Sequence, residues 1–489
     1  MKTTFPAILL VLLFALACSA CAEAPEEKDS KLSVTSLCVL MADNLEEFCE
    51  SGGFALISPA NDNLFVARSK GAQTKLLLNS KDITPDGCTG FISAAFAPDN
   101  TLAFAYSTHE GCFVSVRERQ QKFGSYRSVR ENSLLFSPDS KRLAFIAGVQ
   151  RPREAVVLDG EKGEGYTEIC EFIFSRDSRR FGFIGRNGNE YALVVKGKVS
   201  DRYTAYRNLR FSTARRGYAV MAMDKGEWFP LLGSRRGAGC FGAASEFVFD
   251  SRGKRCVFVA ETEEGKVLFE NGKPTKWTDV QRPFFGPRDK LTFVQTRKGR
   301  QFPVVDGAAL KSYDRVRLML FSPDGKRFIH TAFMGQMEVM MENGSFDEEF
   351  HHVIEPVFTP DGGHLAFAGQ FMKDVTLVVD KLKPAICKGT DAFAVTISDD
   401  AKHSALFVVN GERVSLVVDG KQLAEYYKFD PWCFGAGFTA YRAEQAAAFA
   451  RGEIPEAAQR MFRISIEDGG FRYFAVQDGK FVRVEGEFK

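Results

Sequence analysis

Apolar and polar positions along the chain recur with a near-constant period. Ten times an apolar anchor is followed by a turn, usually opened by a small residue, and then by a second apolar run. The anchors are Ile57, Phe96, Phe136, Phe174, Phe211, Phe249, Phe285, Phe321, Phe358 and Ile397, spaced 36 to 40 residues apart. Phe136-Ser137-Pro138-Asp139-Ser140-Lys141-Arg142-Leu143-Ala144-Phe145 is one copy. Phe321-Ser322-Pro323-Asp324-Gly325-Lys326-Arg327-Phe328 and Phe358-Thr359-Pro360-Asp361-Gly362-Gly363-His364-Leu365-Ala366-Phe367 are two others. An eleventh anchor falls at Phe434, although Gly435-Ala436-Gly437 replaces the turn there. In the same frame, β runs ending in Asp159-Gly160, Asp306-Gly307 and Asp419-Gly420 precede Tyr166, Tyr313 and Tyr426. Tyr166, Tyr203, Tyr313 and Phe350 each stand eight residues before the next anchor. Each unit therefore predicts two hairpin-like halves, or four short strands.

The residue types have physical reasons to sit where they do. Asp-Gly and Asn-Gly supply the positive φ of tight hairpins, and Pro after the Ser presets a type I or II turn. Runs of Val, Ile and Phe suit a pleated surface buried on both faces. A four-stranded unit of this length cannot bury both faces alone and must stack on its neighbours. Radial stacking gives an all-β β-propeller of about ten to eleven four-stranded repeats. The recurring Pro and Gly argue against a helical repeat of similar period. The count exceeds a usual ring, so two tandem rings or one large ring are expected, with two rings slightly preferred.

The anchor-turn sequence resembles the WD40-like repeat of TolB-type bacterial envelope proteins, which also builds the propellers of tricorn-type and prolyl-oligopeptidase-type peptidases. The resemblance runs from about Ile57 to Ile397 and is weakest at Phe211, where Ser212-Thr213-Ala214-Arg215 lacks the Pro-Asp turn. It implies a propeller and a cell-envelope setting, and says little about activity. The peptidase relatives would need a large α/β domain with a Gly-x-Ser-x-Gly elbow, and none is present.

The two ends depart from the repeat. Lys2 and the apolar run Ala7 to Ala17 read as an export signal over residues 1–22, too short to anchor as a bilayer span. Cleavage before Glu23 competes with a lipoprotein-like box, Ala15-Leu16-Ala17-Cys18, that would make Cys18 the lipidated residue. Residues 23–53 are expected to be a tether and lead-in strand, and 54–441 the propeller repeats. Ala443 to Arg451 and Pro455 to Arg460 favour helix, predicting a helical insertion over 442–461 before closing strands in 462–489. The expected location is extracytoplasmic, periplasmic or held at the envelope by lipid.

Composition narrows the function further. With 64 basic and 62 acidic residues, the charge balance gives no reason to expect a nucleic acid or an anionic membrane as partner. A dense local group, Arg207, Arg210, Arg215, Arg216, Arg235 and Arg236, reads mainly as solvated loop charge, with an anionic ligand as the minor alternative. Export permits disulfides; Cys38 with Cys49 and Cys240 with Cys256 are the pairs suggested by proximity in sequence. No cofactor is expected and no catalytic residue is assigned. Four of six histidines, His330, His351, His352 and His364, fall within two adjacent repeats and are weak candidates for a metal site. The reading is a non-enzymatic envelope scaffold binding a protein or glycan. The alternative is a propeller polysaccharide lyase or hydrolase with a histidine-based metal, as the resemblance allows.

Overall fold

The structure is a computed structural model. It describes residues 32–39, 54–427 apart from the short turns 60–61, 71–72, 118, 151–152, 213–216, 241–244 and 412, and 464–488 apart from 468 and 478–479. Eleven antiparallel sheets make up an all-β propeller. A 3-10 turn at Pro287–Asp289 is the only helix among the described residues, and no helix there is long and apolar enough to cross a membrane. Phe434 and the expected helical insertion at 442–461 lie outside the described residues.

Blades 1 to 10 follow the chain and hold their strands in simple succession. Blade 8, for instance, is Arg315–Phe321, Phe328–Met334, Met337–Glu342 and Ser345–Phe350, and blade 9 is His352–Phe358, Leu365–Phe371, Asp374–Val379 and Leu382–Lys388. Every one of the ten anchors is the last residue of its blade's first strand. In blade 3 that strand is split into Ser128–Val129 and Leu135–Phe136. Blade 11 is built differently. Ser465–Glu467, Gly470–Gln477 and Lys480–Glu487 supply its first three strands, and Leu32–Val39 supplies the outermost one. The strand expected to lead into blade 1 therefore completes blade 11.

The turn after each anchor has a common construction. In blades 3, 4, 8, 9 and 10 the hydroxyl of Ser137, Ser175, Ser322, Thr359 or Ser398 donates to the Asp two residues on. The same hydroxyl accepts the amide five residues on. The residue three on has φ between 55° and 77°, whether Gly325, Gly362, Ser140, Ser178 or Ala401. Ser and Asp thus satisfy backbone amides that the turn would otherwise leave unpaired.

Adjacent blades are joined by three recurring devices. Each blade shares a core of Val, Leu, Ile, Ala and Phe with the next, through all ten junctions from blade 1 to blade 11. The aromatic eight residues before an anchor packs edge-on against the next blade's second strand: Tyr166 on Phe183 at 5.6 Å and Phe350 on Phe367 at 5.9 Å. The arginine before the second strand then lies over the next blade's anchor, Arg142 over Phe174, Arg180 over Phe211, Arg255 over Phe285 and Arg327 over Phe358, at 5.0 to 5.6 Å.

The ring closes where Arg472 of blade 11 meets Asp62 of blade 1 at 2.9 Å. Two tandem rings would need a junction at which successive blades fail to pack. The shared cores leave none, so the preference for two rings gives way to one uninterrupted array. The suggested Cys240–Cys256 disulfide is also corrected. Both thiols are free and buried, and burial pushes them up to about 11 and about 12. The Cys240 thiol instead donates to the Trp228 carbonyl at 3.5 Å. Cys49 lies outside the described residues.

Candidate binding face at blades 8 and 9

In an antiparallel blade the turns between second and third strands share one end, together with the links from one blade to the next. Around most of the ring these turns are polar. They read Thr108-His109-Glu110-Gly111, Asn187-Gly188-Asn189-Glu190, Asp224-Lys225-Gly226-Glu227, Thr262-Glu263-Glu264-Gly265 and Arg297-Lys298-Gly299-Arg300. Blades 8 and 9 break the rule side by side, with Met334-Gly335-Gln336-Met337 and Phe371-Met372-Lys373-Asp374. Met334, Phe371 and Met372 are 54 %, 43 % and 67 % exposed. On the outer strand of blade 9 Ile386 is exposed, as is Leu382 at the far end of the blade. Of the six large apolar side chains exposed among the described residues, only Val199 lies outside blades 8 and 9.

The turn of blade 9 is held in shape. Met372 has φ 54°, an uncommon conformation for a residue with a side chain. Its amide donates to His351 Nδ1 at 3.0 Å, and the His351 ring stacks on Phe371 with centroids 4.7 Å apart and planes 19° apart. His351 therefore fixes an aromatic and a methionine outward at the blade 8–9 seam.

Beneath that surface lies a buried polar cluster. Glu338, wholly buried, accepts Arg317 Nε at 2.5 Å, His352 Nδ1 at 2.9 Å and the Val353 amide at 2.9 Å. Burial pushes its carboxyl up, but the His352 hydrogen bond, the Arg317 charge and the Val353 amide outweigh it and hold the group at about 2. Arg317 also donates to the Val353 carbonyl of blade 9. The cluster ties the two blades together directly below the apolar turns.

The four histidines singled out from sequence have separate partners. His330 is fully buried, with Nε2 3.2 Å from the Tyr313 hydroxyl and burial pulling its pKa down to about 4. His351 braces the Met372 turn and His352 binds Glu338. His364 pairs through Nδ1 with Asp380, taking the place of Arg142, Arg255 and Arg327, which pair with Asp159, Glu270 and Glu342. His403 does the same with Asp419. Among the described residues no group of three or more His, Cys, Asp or Glu is gathered to hold a metal. Cys18 lies outside the described residues.

A cavity of about 80 Å³ opens at the other end of the same two blades, lined by Arg327, Glu342, Leu365, Phe367, Asp380 and Lys381. Arg327 is 2.6 Å from Glu342 and 3.6 Å from Asp380, so its charge is already committed. The apolar turns were the part missed from sequence. Their signal was present in the turn register, where two neighbouring copies substitute Met and Phe for Asn, Asp, Glu and Lys.

No family model and no curated protein matches the chain. Solved structures do resemble it. The crystal structure of a eukaryotic initiation factor is 13% identical, with a TM-score of 0.39, over 77% of this chain and 95% of that one. The Dos1 propeller is 12% identical, with a TM-score of 0.31, over 60% and 93%. The β-propeller domain of the Trilobed protease from Pyrococcus furiosus is 11% identical, with a TM-score of 0.26, over 61% and 94%. At that distance the eleven sheets of the chain itself define the propeller.

Proposed function

We propose that the chain is an exported, non-enzymatic propeller that binds a protein partner of the bacterial cell envelope through the apolar face at blades 8 and 9. The observation that carries this reading is the pair of adjacent Met- and Phe-bearing turns in a ring whose other described second-to-third turns are polar. Methionine is a soft, adaptable contact residue, and aromatic anchors supply much of the energy at protein interfaces. Neighbouring apolar turns of this kind fit a protein segment better than a glycan. The export signal and candidate lipid anchor at Cys18 support an envelope location. The separate partners of the four histidines among the described residues weigh toward binding over the lyase alternative.

The test is site-specific photo-crosslinking in cells, with the probe at Met372 or, as a control on the same end of the ring, at Glu263. A discrete adduct from position 372 that is absent from 263 and lost with Met334→Asp supports the reading. Equal adducts from both positions, or an adduct indifferent to Met334→Asp, would exclude this face. Mass analysis of the mature N-terminus in the same sample reports cleavage before Glu23 or lipid on Cys18.

A further inference from the structure

Arginines on the inner strands of the ring mostly reach an acid or a backbone carbonyl. Arg130 Nε donates to Glu154 at 3.2 Å, and Arg317 Nε donates to Glu338 at 2.5 Å. Arg282 reaches the Val316 carbonyl, and Arg210 pairs with Glu171 and Glu246. Within the dense local group, Arg235 reaches the Asn271 carbonyl and Arg236 pairs with Glu227, while Arg215 and Arg216 lie outside the described residues.

Arg207 differs. It stands four residues before its anchor Phe211, as Arg317 stands before Phe321. In blade 8 the acid that receives the arginine is the second residue of the third strand, Glu338. In blade 5 that position, the second residue of Glu227–Leu232, is Trp228. The Arg207 guanidinium lies over the Trp228 ring at 3.9 Å, and its buried Nε has no hydrogen-bond partner among the described residues. Glu227, the acid next to Trp228, is engaged by Arg236 at 2.9 Å. Cys240 closes the other side, pairing backbone with Trp228. The repeat keeps the arginine, deletes its acid and puts an aromatic wall in the acid's place.

We propose that Arg207 and Trp228 form an oxyanion site that receives a carboxylate or phosphate group of an external ligand, in the role Glu338 plays toward Arg317. A planar guanidinium recognises such groups through paired N–H donors. The indole beneath it holds the guanidinium in place through a cation–π contact. Burial favours the uncharged form of Arg207, consistent with a cation that lacks its counter-charge.

The experiment follows tryptophan emission of the full chain titrated with acetate, glucuronate and inorganic phosphate, against chloride at constant ionic strength. A saturable change is expected for at least one carboxylate or for phosphate, and the two arms assign the ligand group. Trp228→Phe should remove the signal, and Arg207→Gln, with fold checked by circular dichroism, should weaken binding by about tenfold or more. If Arg207→Gln does not fold, Arg207→Lys keeps the charge without the fork and should also bind more weakly. No saturable response from wild type, or an unchanged affinity in the arginine variants, would overturn the site.

Discussion

At the third position of the second strand, blades 2, 3, 4, 6, 7 and 9 bury a phenylalanine: Phe104, Phe145, Phe183, Phe258, Phe293 and Phe367. Blade 8 buries His330 there, between Tyr313 and Phe328, with Nδ1 lacking a partner among the described residues. Its pKa is pulled by burial from 6.5 down to about 4. Below pH 6.5 the unfolded chain takes up a proton that the folded state refuses. Stability should therefore fall as pH drops from about 6.5 to about 4, by up to about 3 kcal/mol. His330→Phe should flatten urea-unfolding midpoints across that window and raise the value at pH 5. A midpoint profile identical to wild type would refute it. Glu338 behaves in the related acidic sense. Its contribution is present above pH 4.5 and is lost as pH falls toward about 2. Glu338→Ala, leaving the half-buried Arg317 without its acid, should cost ~2–4 kcal/mol in chemical denaturation. Neither role was legible from residue type alone. A histidine in an apolar run can be read as ligand or core, and the shared register with the phenylalanines identifies it as core.

The strand and its turn were the scale at which the sequence spoke most clearly. Proline, the turn Asp and the positive-φ position each have a local reason to recur, so the anchors located the ends of ten first strands. Seam glycines were silent, because their reason lies on another blade. A Cβ on Gly369 would stand 2.3 Å from the Phe350 ring, and one on Gly185 2.5 Å from Tyr166. Glycine thins the second strand so that the preceding blade's aromatic can lie against it. Gly369→Ala should destabilise by ~1–3 kcal/mol through overpacking, and adding Phe350→Leu should recover part of that loss in a double-mutant cycle. Gly188, with φ 63° and nothing within 4 Å of its Cβ, is the contrast. Gly188→Ala should cost only backbone strain of ~1 kcal/mol, with no rescue from a neighbouring aromatic.

For the whole molecule, periodicity gave the number of units but not how the first meets the last. Closure depends on contacts between distant residues, Asp62 with Arg472 and Leu32–Val39 with Lys480–Glu487, which no local pattern encodes. Deleting residues 32–39 should leave Lys480–Glu487 as an unpaired edge. The expected result is faster amide exchange in blades 11 and 1 and self-association on size-exclusion chromatography. A monomer with unchanged exchange would show that the outer strand is dispensable.

That pairing also sets a timetable for biogenesis. Val34 finds Val484, 450 residues later in the chain. A chain delivered N-terminus first must carry its earliest strand unmatched while blades 1 to 10 assemble as an open arc. Only the last-made segment offers it a berth. The clasp is therefore the final folding event, and contacts of such long sequence separation form slowly. Until it shuts, the arc exposes two raw edges to its surroundings. The interval between synthesis of blade 10 and closure is when the open arc is most prone to wrong association.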